Sequence, residues 1–163
     1  MTIEYENLSK NAKAIQDALL KEGLTIKVLE LSSSTRTAHD AALSIGCEVD
    51  QIVKSLLFRS EKTNRPVLIL ASGINRVNEK KFEKLISEKI VKADADFTRA
   101  ITGFAIGGIP PIGHKQIIDN IFIDEDLMTF EKLWAAAGMP NAVFSLHPGE
   151  LVNLTGGKIV SIQ

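Results

Sequence analysis

At 163 residues the chain has the length of one domain, and a domain of this size buries about two thirds of the surface that its unfolded form exposes. Hydrophobic residues make up 45% of the chain and charged residues 24%, a composition typical of folded proteins that excludes a long disordered region. The net charge of −1 argues against a protein that coats nucleic acid over a long footprint, but it permits a short contact.

The single cysteine, Cys47, permits neither an internal disulfide nor a cysteine metal cluster, which fits a reducing cytoplasm. The first residues are acidic and lack the basic and apolar segments of an export signal. No stretch approaches the roughly 18 apolar residues of a membrane span. We therefore expect a cytoplasmic protein that is neither exported nor inserted in a membrane.

Apolar spacing and turn residues predict the elements in chain order. Helices are expected at 5–22, 38–45, 78–86, 94–102 and 148–154. Strands are expected at 26–31, 51–60, 66–71, 90–93, 117–124, 130–137, 142–146 and 159–162. Thr35 or Thr37 is a plausible N-cap of the second helix and Asn78 of the third. The charged turn at 61–65 predicts a hairpin of the strands on either side of it.

The strands occur in runs, with helices interspersed irregularly, so the strict alternation of a doubly wound parallel sheet is missing. An antiparallel or mixed α+β fold is the better interpretation. No internal repeat and no linker divides the chain, so residues 1–163 are expected to form a single domain.

Lys54 is the most unusual residue of the strand at 51–60, because it shares a face with the apolar residues Ile52, Leu56 and Phe58. A buried lysine costs several kcal/mol unless it is paired, solvated or lowered in pKa. Two explanations stand side by side. Lys54 lies at a strand edge and extends its ammonium to water, or it lies in a cleft and faces an anion or a carbonyl oxygen.

The segment 107–114 contains three glycines, two prolines and a histidine. Glycine amides at such a bend can form a concavity that favours a developing oxyanion, although a surface loop between two strands has the same sequence character. His114 is a candidate general base or, more simply, a surface or cap residue. The loop 72–76 either lines a site or serves as a connector.

The sequence lacks the motifs of metal enzymes, serine hydrolases, nucleoside triphosphatases and dehydrogenases. His39, His114 and His147 are scattered, no spacing suits a metal, and the serine hydrolase elbow, the Walker lysine loop and the dinucleotide fingerprint are missing. We expect no cofactor. Lys54 together with the backbone of 107–111 remains the one pairing that suggests a site, suited to polarising a carbonyl or holding a phosphate.

Several segments together carry a resemblance: 51–58 (QIVKSLLF), 66–71 (PVLILA), 92–94 (KAD), 102–104 (TGF) and 107–113 (GGIPPIG). In order and spacing they resemble the YbaK/prolyl-tRNA synthetase editing (INS) superfamily from about Thr35 to Leu154. The resemblance implies a mixed, partly barrel-like β-sheet surrounded by helices. It also implies hydrolysis of the ester that joins a wrong amino acid to tRNA.

Site residues follow from the same resemblance. Lys54 matches the essential lysine of the family, and 107–111 matches its Gly-x-x-x-Pro loop, which gives Lys54, Gly107 and Gly108 as catalytic candidates. The candidates for substrate binding are Thr37, Ser55, Ser72, Gly73, Ile109, Pro110, Pro111, His114, Ala137 and Gly138. Activation of the attacking water is expected to lean on the substrate itself.

The resemblance implies a free-standing editor acting in trans on a mischarged tRNA, which is expected to be tRNA-Pro or a related tRNA, with a prolyl-tRNA synthetase as a further candidate partner. The cysteine-specific and alanine-specific branches differ from this chain at Ser55 and around 136–139, so a small amino acid is expected without a choice among alanine, serine, threonine and 2-aminobutyrate. Two alternatives remain open: a non-catalytic module that binds the tRNA end or a nucleotide, and a protein-interaction regulator.

Overall fold

The computed structural model describes residues 7–32 and 37–163. Five α-helices are present in this part of the chain: α1 (Lys10–Lys21), α2 (Ala38–Ile45), α3 (Glu79–Ile86), α4 (Ala95–Thr102) and α5 (Pro148–Thr155). The eight strands are β1 (Leu29–Glu30), β2 (Ile52–Ser60), β3 (Pro66–Ser72), β4 (Ile90–Lys92), β5 (Asn120–Asp124), β6 (Leu133–Ala136), β7 (Ala142–Leu146) and β8 (Lys158–Val160). Short 3-10 helices cover Val49–Gln51 and Glu125–Thr129.

All described strands join one mixed sheet in the order β1-β7-β6-β2-β3-β5-β8, and β4 pairs with β2 beside this path. The hairpin of β2 and β3 is antiparallel, as predicted, whereas β2 with β6, β3 with β5 and β5 with β8 are parallel pairs. The mixed α+β fold is therefore confirmed. The described strands form an open sheet, with β1 and β8 at its two ends, rather than a closed barrel.

The two faces of β2 pack into different cores, which the alternation of a strand requires. Val53 and Leu57 join the larger core with α1, α5 and the chain around Phe104. Phe58 joins the smaller core beneath α3, where the rings of Phe82 and Phe122 meet edge to face with centroids 5.1 Å apart. The predicted separation of the faces of this strand holds.

Helix ends follow the predicted caps. Thr37 Oγ1 accepts a hydrogen bond from the Asp40 amide, and the Asn78 side chain accepts one from the Lys81 amide. Thr35, the alternative cap, lies outside the described residues. The first helix begins at Lys10 rather than at Tyr5, and Tyr5 lies outside the described part as well.

The strand predicted at 26–31 was too long, because only Leu29 and Glu30 pair with a neighbouring strand. The buried side chain of Gln16 accepts a hydrogen bond from the Val28 amide and donates one to the Ile26 carbonyl, so a side chain satisfies this backbone. The predictions at 117–124, 130–137 and 159–162 were likewise longer than β5, β6 and β8. Among the described residues, no helix combines the length and the apolar character needed to cross a membrane.

Candidate active site

The site begins with an interruption in the sheet. One edge of β2 pairs with β3 along its length, while the other edge pairs with two different strands. Its start pairs with β6, ending at Val53 opposite Ala135, and its end pairs with β4, beginning at Phe58 opposite Lys92. The edge of residues 54–56 thus carries no strand partner in the described part of the chain, and the sheet opens into a cleft there.

A cavity of about 660 Å³ lies at this opening. Its walls come from the start of α2, the unpaired part of β2, the loop after β3, the loop after α4, and strands β6 and β7. The lining residues are Thr37, Ala38, His39, Ala41, Val49, Ile52, Val53, Lys54, Ser55, Leu56, Gly73, Ile74, Ile106, Gly107, Ile109, Trp134, Ala135, Ala136, Pro140 and Val143. Most of these side chains are apolar, and Lys54 supplies the positive charge.

Lys54 is half-buried in this cavity, and its ammonium is held by the main chain. Its Nζ donates a hydrogen bond of 2.7 Å to the carbonyl oxygen of Asn75. Burial lowers the pKa of Lys54 below its ordinary value, the positive charge of Arg76 lowers it further, and the negative charge of Asp124 opposes both effects. Of the two explanations for this lysine, the cleft is the one that the geometry supports.

A buried polar network fixes the carbonyl that holds Lys54. Asp124 is 1% exposed and accepts hydrogen bonds from the Ser72 amide at 2.9 Å, the Asn75 side chain at 2.8 Å and the Asp126 amide at 3.0 Å. Asn75 Nδ2 also donates to Asp126 at 2.8 Å, and its Oδ1 accepts from Gln163 at 3.1 Å. These bonds restrain the Asn75 side chain and its backbone. The position of the Lys54 ammonium therefore depends on Asp124, Asp126 and Gln163, which do not line the cavity.

The two glycines of the loop after α4 differ in their surroundings. Gly107 lines the cavity with φ of 95°, a conformation that favours glycine. Gly108 is buried against Met139, and its amide already donates a 3.0 Å hydrogen bond to the Ala105 carbonyl. In the part of the chain that the structure describes, only the Gly107 amide of these two is not engaged by another backbone carbonyl.

The segment after Ile109 turns away from Lys54. Pro110 and Pro111 are buried, and His114 Nε2 lies 2.7 Å from the Pro110 carbonyl oxygen, so Nε2 carries the proton of this bond. Burial lowers the pKa of His114, and the hydrogen bond to Pro110 partly opposes this. Pro111 and His114 line a separate depression against the end of α1. In this structure His114 braces the loop rather than facing the cleft.

The remaining predicted residues divide in the same way. Thr37, Ser55, Gly73 and Ile109 line the cavity with Lys54. Ser72 donates through Oγ to the Asp50 carbonyl at 2.8 Å, which places it behind the cavity wall.

Ala137 and Gly138 are buried towards α1, where the Asn11 side chain donates to the Gly138 carbonyl at 3.1 Å. Their neighbour Ala136 lines the cavity instead. The roles of all these residues stay predictions.

Sequence reasoning missed Asn75, Asp124 and the apolar walls contributed by Trp134 and Val143. Asn75 belongs to the loop 72–76, and a polar side chain directly after a buried strand is a signal that points to it. Asp124 ends the strand predicted at 117–124, and nothing local distinguishes its burial from the exposure of Glu125 beside it.

Within residues 7–32 and 37–163, no group of three or more His, Cys, Asp or Glu side chains is arranged to hold a metal ion. The expectation that the protein uses no cofactor stays a prediction.

Two curated proteins resemble this chain along most of its length. YwhH of Bacillus subtilis, an uncharacterised protein, is 30% identical over 132 residues, which span 81% of this chain and 83% of YwhH. EbsC of Enterococcus faecalis, a candidate Cys-tRNA(Pro)/Cys-tRNA(Cys) deacylase, is 28% identical over 127 residues, which span 77% of this chain and 76% of EbsC.

A solved structure is closer still. The crystal structure of a candidate trans-editing enzyme for prolyl-tRNA synthetase superposes with a TM-score of 0.91 at 43% sequence identity, covering 96% of this chain and 99% of the other. The family model for the aminoacyl-tRNA editing domain matches residues 32–154. That segment contains the interrupted strand, the cleft, Lys54 and the glycine-proline loop, and this chain therefore belongs to the family of aminoacyl-tRNA editing domains.

Proposed function

We propose that this protein is a trans-acting aminoacyl-tRNA deacylase, which hydrolyses the ester between a small, wrongly attached amino acid and its tRNA. The observation that carries the proposal is the lysine ammonium fixed by the Asn75 carbonyl at the mouth of a largely apolar cavity. The size of the cavity, about 660 Å³, is ample for the small acyl group together with part of the terminal nucleoside.

The chemistry is the addition of water to the ester carbonyl carbon, followed by cleavage of the bond to the ribose oxygen. The ribose leaves as the free hydroxyl and the amino acid leaves as its carboxylate. Negative charge develops on the carbonyl oxygen in between. An ammonium carries three N–H donors, and since one of them is engaged by Asn75, two are left for that oxygen.

We assign the amide of Gly107 as a second donor, because Gly107 lines the same cavity and its amide is not engaged by a backbone carbonyl of the described residues. Because both donors are held before the substrate arrives, little reorganisation is needed when the charge develops. We assign no side chain as the base. The proton of the attacking water passes to a group of the substrate, and the protein contributes orientation, charge stabilisation and partial exclusion of solvent.

The residues that line the cavity suggest which amino acids are removed, and the descriptions of similar proteins suggest which tRNA carries them. Ala136 and Val143, which pair across β6 and β7, line the cavity with short side chains, which suits alanine, 2-aminobutyrate, cysteine, serine or threonine. The descriptions of EbsC and of the trans-editing structure support proline tRNA as the first tRNA to test. Editing in trans is supported by the description of that solved structure as a candidate trans-editing enzyme. Since aminoacyl-tRNA is consumed by ribosomes, we expect the protein to act in the cytoplasm.

The decisive experiment is a panel of proline tRNAs charged with alanine, cysteine, serine, threonine, 2-aminobutyrate or proline. Each is incubated with the protein at a tenth of the tRNA concentration, and release of the amino acid is followed over several turnovers. We expect rapid multiple turnover for at least one small amino acid and little for proline. Binding of the charged tRNA without release would overturn the deacylase and leave the non-catalytic binding module.

A further inference from the structure

A second cavity of about 560 Å³ adjoins the first on the side of β4 and α4. Lys54 and Ser55 line both cavities, so the fixed ammonium stands at their junction. An ester carbonyl at Lys54 therefore directs its two substituents into different spaces. If the acyl group occupies the first, apolar cavity, the nucleoside and the backbone attached to it extend towards the second.

The second cavity is positively charged. Three cations line it, Lys54, Arg76 and Lys92, against the single carboxylate of Glu79, which leaves an excess of two positive charges (three minus one). In the described part of the chain the one ion pair within 4 Å joins Lys89 to Glu61, outside this cavity. A concave surface of one charge sign concentrates ions of the opposite sign.

Two residues that line the second cavity carry hydroxyl groups without a hydrogen-bond partner among the described residues. The two oxygen atoms, Ser55 Oγ and Thr98 Oγ1, are both buried. Thr98 is 1% exposed. Such unsatisfied buried groups are rare in folded proteins. Because neither oxygen atom is accessible, we do not assign them as ligands.

We propose that the second cavity binds a phosphate of the single-stranded RNA end, the phosphodiester on the 5′ side of the terminal nucleoside, with Arg76 and Lys92 as its ligands. This inference rests on the proposed function, since it takes the reacting ester to lie at Lys54. Arg76 follows directly on Asn75, and Lys92 ends the short strand that borders the gap in the sheet. The phosphate site and the anchor of Lys54 thus share the loop after β3, and Lys92 lies on the strand that pairs with the end of β2.

The test uses Arg76→Ala, Lys92→Ala and the double variant of the full chain. Lys80→Ala and Lys84→Ala are the matched controls, because both residues are exposed on α3, change the net charge equally and do not line either cavity. We expect each cavity variant to raise KM for mischarged tRNA about tenfold with kcat little changed, which corresponds to a loss of about 1.4 kcal/mol of binding free energy. Arg76→Lys should restore part of the loss.

Salt dependence gives a second readout. Each lost phosphate contact should reduce the slope of log affinity against log salt by about 0.7, the value for single strands. The same variants are tested for binding of an uncharged trinucleotide CCA with a 5′ phosphate, which requires no catalysis. Equal KM and equal trinucleotide affinity for cavity and control variants would overturn the phosphate site.

The two hypotheses fail separately. A wild-type protein that hydrolyses mischarged tRNA, with Arg76 and Lys92 variants no different from the controls, keeps the deacylase and removes the phosphate site. A wild-type protein that hydrolyses nothing, yet binds the trinucleotide through Arg76 and Lys92, keeps the phosphate site and removes the deacylase. Binding of inorganic phosphate in place of the trinucleotide, with equal affinity, would overturn the assignment to an RNA end.

Discussion

Two loops meet at the cleft, and their contributions differ. The segment 107–114 has the more distinctive sequence, but it presents only Gly107 and Ile109 to the cavity of Lys54 and packs its prolines and His114 elsewhere. The loop 72–76 reads as an ordinary connector, yet it holds the lysine ammonium through one carbonyl and rests on the buried Asp124. The unusual sequence of 107–114 thus serves mainly to pack this loop in place, whereas the loop 72–76, with its ordinary sequence, makes the hydrogen bond to Lys54.

The two loops are also held in place by different interactions. The segment 107–114 is fixed by packing and by the bond between His114 and Pro110. The loop 72–76 is fixed by charge, because a carboxylate with 1% exposure must be satisfied by the N–H groups around it. We therefore expect variants of the first loop to act through shape and variants of the second to act through polar contacts.

The largest effect is expected from Lys54→Ala. Removal of the ammonium takes away a charged donor from the developing oxyanion, and loss of one such donor lowers kcat by about 100- to 1000-fold. The temperature of thermal unfolding should change by only a few degrees, because the Lys54 side chain is only partly buried. Single-turnover deacylation and calorimetry measure the two quantities, with Lys84→Ala as control. Undiminished turnover would remove Lys54 from the mechanism.

Asp124→Ala is expected to be the most destabilising change of the site. It leaves the amides of Ser72 and Asp126 and the Asn75 side chain short of an acceptor, which should lower the free energy of unfolding by about 2–4 kcal/mol. Urea unfolding measures this loss, and Glu125→Ala, which removes an exposed carboxylate beside it, should be nearly neutral. At temperatures where the variant is folded, kcat should also fall, since Lys54 loses its fixed anchor. A normal kcat would show that the anchor is dispensable.

The two glycines should separate stability from activity. A Cβ on Gly108 would lie 2.7 Å from the Met139 Cα, so Gly108→Ala should cost about 1–3 kcal/mol of stability. A Cβ on Gly107 meets only Pro140, at 4.0 Å, so Gly107→Ala suffers chiefly from its positive φ and from the altered amide. Urea unfolding together with deacylation rates should show the larger kcat loss for Gly107→Ala. The reverse ranking would assign the oxyanion donor to Gly108.

The smallest effect is expected from His114. Its pKa is lowered in the folded state by burial, so between the ordinary value of about 6.5 and that lower value the unfolded chain binds more protons. Stability should therefore fall as the pH drops through this range, and it should be unaffected by His114 above it. Urea unfolding of wild type and His114→Gln at pH 7.5 and 5.5 measures the difference. Deacylation at pH 7.5 should be retained by the variant, and its loss would restore His114 as a candidate base.

Local sequence predicted those elements that depend only on residues close together in the chain. The hairpin of β2 and β3 follows from two apolar runs around a charged turn, and the caps at Thr37 and Asn78 follow from the chemistry of their side chains. Strand ends were overestimated where a side chain replaced a neighbouring strand, as Gln16 does at Val28. This hydrogen bond joins residues that are twelve positions apart, and it produces no periodic pattern of apolar residues from which it could be predicted.

The sequence by itself determined that this is a mixed α+β editing domain and that Lys54 stands out, because alternation along a strand and the order of several motifs are local properties. Only the tertiary structure decided what surrounds the lysine. The gap between β6 and β4, the carbonyl of Asn75 and the buried Asp124 come from distant parts of the chain, and hydrogen bonds across such distances are specified by packing rather than by neighbours in sequence.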